Sequence, residues 1–185
     1  MKKFLYLAII LGFCSVSLVA AEQNQIYKSP LFDFEISYPQ DWQVKEISGV
    51  TAFISPLDDA GDKFSENVNI VIEDISAYQM SAKQYAKEAD KNWLVADGKL
   101  KIIDFSQVML NGEEAYCTIA ENDNLKFKQY KIVKDKKAYV LTYTGQPDGF
   151  SKFQDIADNI IKTFKVQAVS DSKLAPVSGD IKKIK

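Results

Sequence analysis

The sequence contains no histidine and no arginine, and all 23 of its basic residues are lysines. Without histidine, the chain lacks the commonest general base, the base of Ser-His and Cys-His nucleophile pairs, and the usual ligand of zinc and copper. Without arginine, it lacks the planar donor fork that holds carboxylates and phosphates by two parallel hydrogen bonds. The chemistry that remains uses paired carboxylates, lysine bases, or calcium and magnesium held by oxygen ligands.

The chain also lacks an excess of positive charge. Its 25 acidic residues outnumber its basic residues, and its formal net charge is −2. Nucleic-acid-binding proteins depend on a basic surface that attracts phosphates. DNA and RNA are therefore excluded as expected partners.

The first 21 residues have the pattern of a secretory signal peptide. Lys2 and Lys3 precede an apolar run from Phe4 to Val19, and small residues close the segment at Ala20-Ala21 before the polar Glu22. The apolar run is shorter than the roughly twenty residues that a membrane-spanning helix needs. We therefore expect cleavage after Ala21 and export of the mature chain to the periplasm or the extracellular space.

Cysteine occurs only twice, at Cys14 and Cys117. Lipid attachment at Cys14 is disfavoured, because the bulky Phe13 stands where lipoprotein signals have Gly or Ala. Once the leader is removed, Cys117 alone remains and an internal disulfide cannot form. Cys117 alternates with Ala115 and Ile119 along a predicted strand, so we expect it to be a small buried side chain of low reactivity.

The remaining chain alternates between strand and turn signals, with two helical segments. Alternating or β-rich runs predict strands at 32–38, 43–47, 50–55, 68–75, 101–110, 114–121, 125–133 and 138–144. Turn signals at Ser48-Gly49, Asn111-Gly112 and 134–137 join three pairs of these strands into hairpins. This order indicates an α+β domain, in which a mainly antiparallel sheet is covered by helices.

The first predicted helix runs from an N-cap at Ser81 to Val95. Its apolar side chains recur every three or four residues and predict one buried stripe, which includes Trp93 as a core residue: Ala82, Tyr85, Ala89 and Trp93. The second helix runs from near Pro147 to about Phe164. Residues 167–185 have no periodicity and are rich in Ser, Asp, Pro, Gly and Lys, so we expect a flexible tail after a domain at 22–166.

Four motifs resemble the PsbP-like domain, and the similarity covers nearly all of residues 26–165. They are Phe34-x-Ile36-x-Tyr38-Pro39-x-x-Trp42, Val50-x-Ala52-Phe53-x-Ser55-Pro56, Glu66-Asn67-Val68-Asn69-Ile70 and Ala138-Tyr139-Val140-Leu141-Thr142-Tyr143. The resemblance implies an α-β-α sandwich, export, and a role in binding or assembly. The best known family members are extrinsic subunits that help photosystem II retain calcium and chloride. The resemblance therefore also implies an accessory role at the oxygen-evolving complex, although the absence of histidine departs from members that contact metals through it.

An acidic loop supplies the candidate metal ligands, which are Asp58, Asp59, Asp62 and Glu66. Calcium prefers several carboxylate and carbonyl oxygens, and this loop offers them in a short span. The loop departs from the calcium-loop pattern because Lys63 stands where that pattern has glycine. A calcium or magnesium site and a solvated surface loop are both compatible with this segment.

A group of lysines around one predicted hairpin supplies the candidate partner-binding surface: Lys126, Lys128, Lys131, Lys134, Lys136 and Lys137. Such a group can meet an acidic protein or an anionic membrane surface. It can also form the solvated side of a sheet edge.

Three functions from different classes follow from these features. The leading one is an exported, non-catalytic accessory domain, without a cofactor, that binds an envelope or membrane-associated protein through a sheet face or the lysine hairpin. The second is a divalent-cation binding module that uses the acidic loop. The third is a hydrolase with paired carboxylates, but the sequence identifies no catalytic residues for it.

The signal peptide predicts the first residue of the mature protein. When the full gene is expressed in a bacterium, intact-mass analysis of the exported chain should give a mass that begins at Glu22. Retention of residues 1–21, or a lipid-modified chain that begins at Cys14, would contradict this prediction.

Overall fold

The computed structural model describes residues 23–167, so the predicted signal peptide and all but the first residue of the predicted tail lie outside the described residues. Seven antiparallel strands form the main sheet, in the order β3 (Gln43–Ile47), β4 (Val50–Ile54), β5 (Asn67–Asp74), β9 (Lys137–Gly145), β8 (Lys126–Lys134), β7 (Glu113–Glu121) and β6 (Lys101–Leu110). Three short strands form a second sheet, in the order β1 (Asn24–Lys28), β2 (Phe34–Pro39) and β10 (Lys165–Val166). The helices are α1 (Ala82–Ala96) and α2 (Phe150–Lys162).

Three tight turns set the register of the main sheet. Asn111 and Gly112 join β6 to β7 with φ angles of 50° and 83°, and Ser48 and Gly49 join β3 to β4 with nearly the same values. Positive φ at both central residues gives the turn twist that matches a right-handed hairpin. The third turn, between β8 and β9, has only two central residues, Asp135 and Lys136, and is tighter than the predicted 134–137 loop.

One face of the main sheet carries the larger core. Side chains of alternating strand residues such as Ile70, Leu141 and Tyr143 meet the apolar stripe of α2, represented by Phe153 and Ile160. The small sheet packs into the same core through aromatic contacts, which include Phe34 with Phe164, Tyr27 with Phe53, and Tyr38 with Phe53. Trp42 is buried in this core as well, so the Tyr38-Pro39-x-x-Trp42 segment closes one end of it.

The helix α1 packs on part of the opposite face, which gives the molecule its α-β-α layers and confirms the predicted fold. A capping box begins the helix, because the Ser81 hydroxyl accepts from the Gln84 amide while the Gln84 side chain accepts from the Ser81 amide. The helix then packs mainly on β7 and β8. Its buried residues contact Tyr116, Ala138 and Val140 of the sheet.

Local sequence patterns did not predict β1 or β10. The strand β1 is exposed at four of its five residues, and β10 has only two residues. Both are strands because they pair with the two edges of β2, through Tyr27 opposite Ile36 and Lys165 opposite Glu35. Long-range pairing, rather than local pattern, therefore defines them.

A buried ion pair fixes α1 to the sheet. The Lys131 ammonium donates to Asp90 Oδ1 at 2.6 Å and to the Thr118 hydroxyl at 2.8 Å, and that hydroxyl donates to Asp90 Oδ2 at 2.8 Å. The Lys131 side chain is 0% exposed and that of Asp90 is 8% exposed. Burial lowers the pKa of Lys131, and hydrogen bonding to Asp90 opposes this effect.

Removal of one member of this triad should destabilise the fold more than removal of all three. Asp90→Leu leaves a buried, unpaired ammonium, and breaking a buried pair in this way costs about 3–5 kcal/mol. The triple variant Asp90→Leu, Lys131→Met, Thr118→Val leaves no buried charge and should recover most of that loss. The free energy of urea unfolding measures both effects.

The matched control is Asp123→Leu, which breaks the exposed pair with Lys99 and should change stability little. An Asp90→Leu variant as stable as the wild type, or a triple variant no more stable than Asp90→Leu, would contradict this role of the triad.

Candidate functional site

An open cleft of about 650 Å³ lies between α1 and the sheet, and we name it the α1 groove. Its volume falls in the range of small-ligand sites. The sheet, the segment before α1 and one side of α1 line it: Asn69, Val71, Glu73, Ile75, Tyr78, Met80, Tyr85, Glu88, Ala89, Asn92, Trp93, Gln129, Val140 and Thr142.

The groove exists because α1 leaves part of its sheet face uncovered. The helix packs mainly over β7 and β8, at one side of the seven-stranded sheet. On β4 and β5, the side chains that face α2 are buried, with Phe53 and Val68 both 0% exposed. Their neighbours on the α1 face, Ala52, Asn69 and Val71, are only partly buried. This half of the sheet is therefore accessible to a ligand or a partner.

The predicted apolar stripe of α1 forms one wall of the groove. Tyr85, Ala89 and Trp93 follow each other at spacings of four residues and so share one side of the helix. Tyr85 is buried, but Trp93 is only partly buried and packs edge-on against Phe127 of β8, with ring centroids 5.1 Å apart. Trp93 therefore lines the groove, and its prediction as a core residue is wrong.

The floor of the groove is polar. The Gln129 amide nitrogen donates to the Thr142 hydroxyl at 3.0 Å, across the paired strands β8 and β9. Farther along, the Asn69 amide nitrogen donates to the Asn67 side-chain oxygen at 3.3 Å on β5. Amide and hydroxyl groups can each make further hydrogen bonds, so the floor offers both donors and acceptors.

Two carboxylates provide the charge of the groove, Glu73 on β5 and Glu88 on α1. Burial, together with the nearby charge of Glu73, raises the pKa of the Tyr85 hydroxyl well above its usual range. The hydroxyl therefore stays protonated beside this carboxylate. Glu88 lies 3.4 Å from Lys91 in an exposed pair one turn along the helix.

A second apolar surface lies on the other side of α1. Leu94 and Val95 are 40% and 81% exposed, and they border a shallow depression completed by Ile102 and Phe105 of β6. Contiguous exposed apolar side chains are characteristic of interaction surfaces. The face that carries α1 is thus accessible and partly apolar on both sides of the helix.

The acidic loop holds itself together through its own backbone. Asp59 accepts hydrogen bonds from the amides of Gly61 and Asp62, while Asp62 accepts from those of Asp58 and Phe64. The bonds that Asp62 accepts, above all the one from the Asp58 amide, lower the pKa of Asp62. Asp58 also pairs with Lys152 of α2.

Within residues 23–167, no group of three or more acidic or thiol side chains is placed to hold a metal ion. Calcium binding by Asp58, Asp59, Asp62 and Glu66 stays a prediction.

Glu66, the fourth predicted ligand, lies beneath this loop and is only 4% exposed. Burial raises its pKa, and the charges of Asp62 and Asp58 act in the same direction. Space around the carboxylate is limited, because a side chain at Gly149 would place its Cβ 2.9 Å from Glu66 Oε1. A larger residue at position 149 would therefore have to displace this carboxylate.

The structure does not bring the six predicted lysines onto one surface. Lys126 and Lys128 lie on the side of β8 that faces α2, whereas Lys131 lies on the side that faces α1. Lys128 forms a 2.7 Å pair with Asp158 of α2, in which both side chains are 15% exposed. Lys131 is fully buried, so its prediction as a partner-binding residue is wrong.

The other lysines of the group lie near the tight turn between β8 and β9. Lys134 pairs with Glu113 at 2.5 Å, while Lys136 is exposed in the turn and Lys137 begins β9. Partner binding by these residues stays a prediction.

Cys117 is buried on the sheet face that packs against α2, as its alternation with apolar residues predicted. Burial raises the pKa of its thiol, which keeps it in the unreactive protonated form.

Comparisons with known proteins place these features in a family context. Residues 15–166 match the family model of PsbP-like proteins. The cyanobacterial PsbP, CyanoP, from Synechocystis sp. PCC 6803 has a similar solution structure, with 18% identity, a TM-score of 0.59, and coverage of 84% of this chain and 98% of that chain. The protein PA94 of unknown function from Pseudomonas aeruginosa is also similar, with 15% identity, a TM-score of 0.55, and coverage of 76% and 94%.

These two likenesses show the fold. A comparison with curated proteins gave no match.

The raised pKa of Glu66 predicts a pH-dependent difference between the wild type and Glu66→Gln. A carboxyl whose pKa is raised by folding stabilises the fold below its ordinary pKa of 4.5, and this contribution is lost as the pH rises through the folded value. The wild type should therefore lose stability relative to Glu66→Gln between pH 4 and pH 7. Thermal melts of both proteins across this range measure the difference in Tm.

Asp148→Asn is the control, because it removes an exposed carboxyl from the neighbouring loop. The Tm of Glu66→Gln minus the Tm of the wild type should rise with pH. A value that stays constant or falls as the pH rises would contradict a raised pKa at Glu66.

Proposed function

The chain belongs to the PsbP-like family, and we propose that it is an exported, non-catalytic accessory domain that binds an envelope or membrane-associated protein. The observation that carries this proposal is the open α1 face, where the α1 groove and the apolar surface around Val95 flank one helix. A protein that docked over α1 would cover both. The bound partner would thus shield apolar side chains that the isolated domain leaves exposed.

The sequence supports export through its leader, whose charged start, apolar run and small residues match a secretory signal. In the described part of the chain, neither helix is long and apolar enough to cross a membrane.

The arrangement of the side chains favours the α1 face over the lysine hairpin as the docking surface. Two of the six hairpin lysines, Lys128 and Lys131, are engaged in buried or largely buried pairs with helices. Of the other four, Lys134 pairs with Glu113 and Lys126 lies over the ring of Phe150 at the far end of β8, while Lys136 and Lys137 lie at the turn. An acidic partner would therefore meet a small group of lysines at the turn, whereas the α1 groove offers a lining from both the helix and the sheet.

Photo-crosslinking at matched positions tests this proposal. The photoreactive residue p-benzoylphenylalanine would replace Asn92, which is exposed at the α1 groove, or Asn159, which is exposed on α2. Each variant would be irradiated with envelope membranes of the organism that produces the chain. The Asn92 variant should give a discrete adduct of higher mass, and the Asn159 variant should not.

Excess unlabelled wild-type chain should suppress the adduct, whereas an excess of the same chain carrying Ala89→Glu should not. A third variant with the photoreactive residue at Lys136 reports on the hairpin. Adduct formation from Lys136 but not from Asn92 would reject the α1 face and favour the hairpin.

A further inference from the structure

The charged side chains that line the α1 groove are acidic. Among residues 23–167, Glu73 and Glu88 are the only charged side chains that line it, and none of the lysines in this range does. The other lining side chains carry no charge; some are polar and some are apolar. A positively charged group is therefore the complementary occupant.

Aromatic and thioether side chains accompany the carboxylates. Tyr78 is 62% exposed at the mouth of the groove, Met80 lies beside it, and Trp93 presents its ring on the helix side. Aromatic faces attract cations through the ring quadrupole, and they also pack against the aliphatic stems of long basic side chains. Methionine adapts its shape to apolar groups of different form.

The floor of the groove suits an extended peptide. Asn69, Gln129 and Thr142 place amide and hydroxyl groups on three adjacent strands, β5, β8 and β9, in the order β5-β9-β8. These groups can donate to or accept from the backbone of a bound segment. Apolar side chains beside them, Val71 and Val140, can contact the apolar residues of that segment.

We infer that the α1 groove receives a segment of the protein partner in which a lysine or arginine stands beside apolar residues. The basic head lies between the carboxylates of Glu73 and Glu88, its stem packs on Trp93, and the neighbouring apolar residues cover Val71 and Val140. This inference rests on the proposed function, because it names the chemistry of the surface that the partner presents.

Lys91 competes for one of the two carboxylates. Its ammonium lies 3.4 Å from Glu88, but both side chains are well exposed, and such surface pairs are weak. A basic residue of the partner can therefore replace Lys91 as the neighbour of Glu88. Removal of Lys91 should strengthen binding of the segment.

Selection from a random heptapeptide library displayed on phage tests the inference without a guess at the partner's sequence. The library would be selected on the purified wild-type chain and depleted on the Trp93→Glu variant. The enriched peptides should share a lysine or arginine next to an apolar residue. A fluorescein-labelled peptide of the consensus sequence is then titrated against the variants, and fluorescence anisotropy gives each Kd.

Glu73→Gln and Glu88→Gln should each weaken binding of this peptide by up to about fivefold. Trp93→Ala should weaken it about tenfold or more, because it removes the aromatic wall. Lys91→Gln should strengthen binding about twofold. The controls Asp148→Asn and Lys99→Gln make the same changes in net charge away from the groove, and they should alter the Kd by less than about twofold.

Three results would overturn the inference: no enrichment of peptides, enrichment of acidic or uncharged peptides, or a basic consensus whose affinity is unchanged in the Glu73, Glu88 and Trp93 variants. The photo-crosslink from position 92 is a separate readout of the proposed function. If that adduct forms while the peptides are not basic, the docking surface stands and only the chemistry of the partner segment is wrong.

Discussion

The ion pair between Lys131 and Asp90 is the contact on which the position of α1 depends. It joins the middle of the helix to β8, and the Thr118 hydroxyl adds a link to β7. Apolar contacts of Ala82, Ala86 and Tyr116 would hold the helix near this part of the sheet, but apolar packing tolerates small shifts. A buried charge that must meet one partner in one geometry restricts the helix far more.

The position of the helix in turn determines which sheet surface stays accessible. Because α1 is fixed over β7 and β8, it does not reach β3 and β4, and β5 is left at the edge of the groove. On the other face, α2 and the small sheet together cover the same strands and produce the main core. The two faces of one sheet therefore have different roles: one stabilises the fold, and the other presents a groove with carboxylate and aromatic walls.

Local signals in the sequence were sufficient for most of the fold. The Asn111-Gly112 and Ser48-Gly49 pairs predicted hairpins because few other residue pairs adopt positive φ so readily, and Ser81 with Gln84 marked the start of α1. The resemblance to PsbP-like domains identified the layers correctly. By contrast, β1 and β10 depend on pairing with β2, which their own short sequences do not reveal.

The site was harder to predict, because its residues have ordinary roles in most proteins. Lys131 was assigned to the surface because of its charge. It lies, however, on the same side of β8 as Phe127 and Val133, and this side faces α1. An acid at position 90, four residues after buried Ala86, was a second signal that a buried pair was present. Trp93 fitted the apolar stripe, and only the position of the helix on the sheet shows that this end of the stripe is open.

Hydrogen exchange of the chain bound to its envelope partner would show which surface the partner covers. Exchange would be compared between the free protein and the isolated complex, peptide by peptide along residues 23–167. Binding should slow exchange in residues 75–93, which form the entrance and the helical wall of the α1 groove. Slower exchange confined to residues 126–137, with residues 75–93 unchanged, would contradict docking at the α1 groove and assign the interaction to the lysine hairpin.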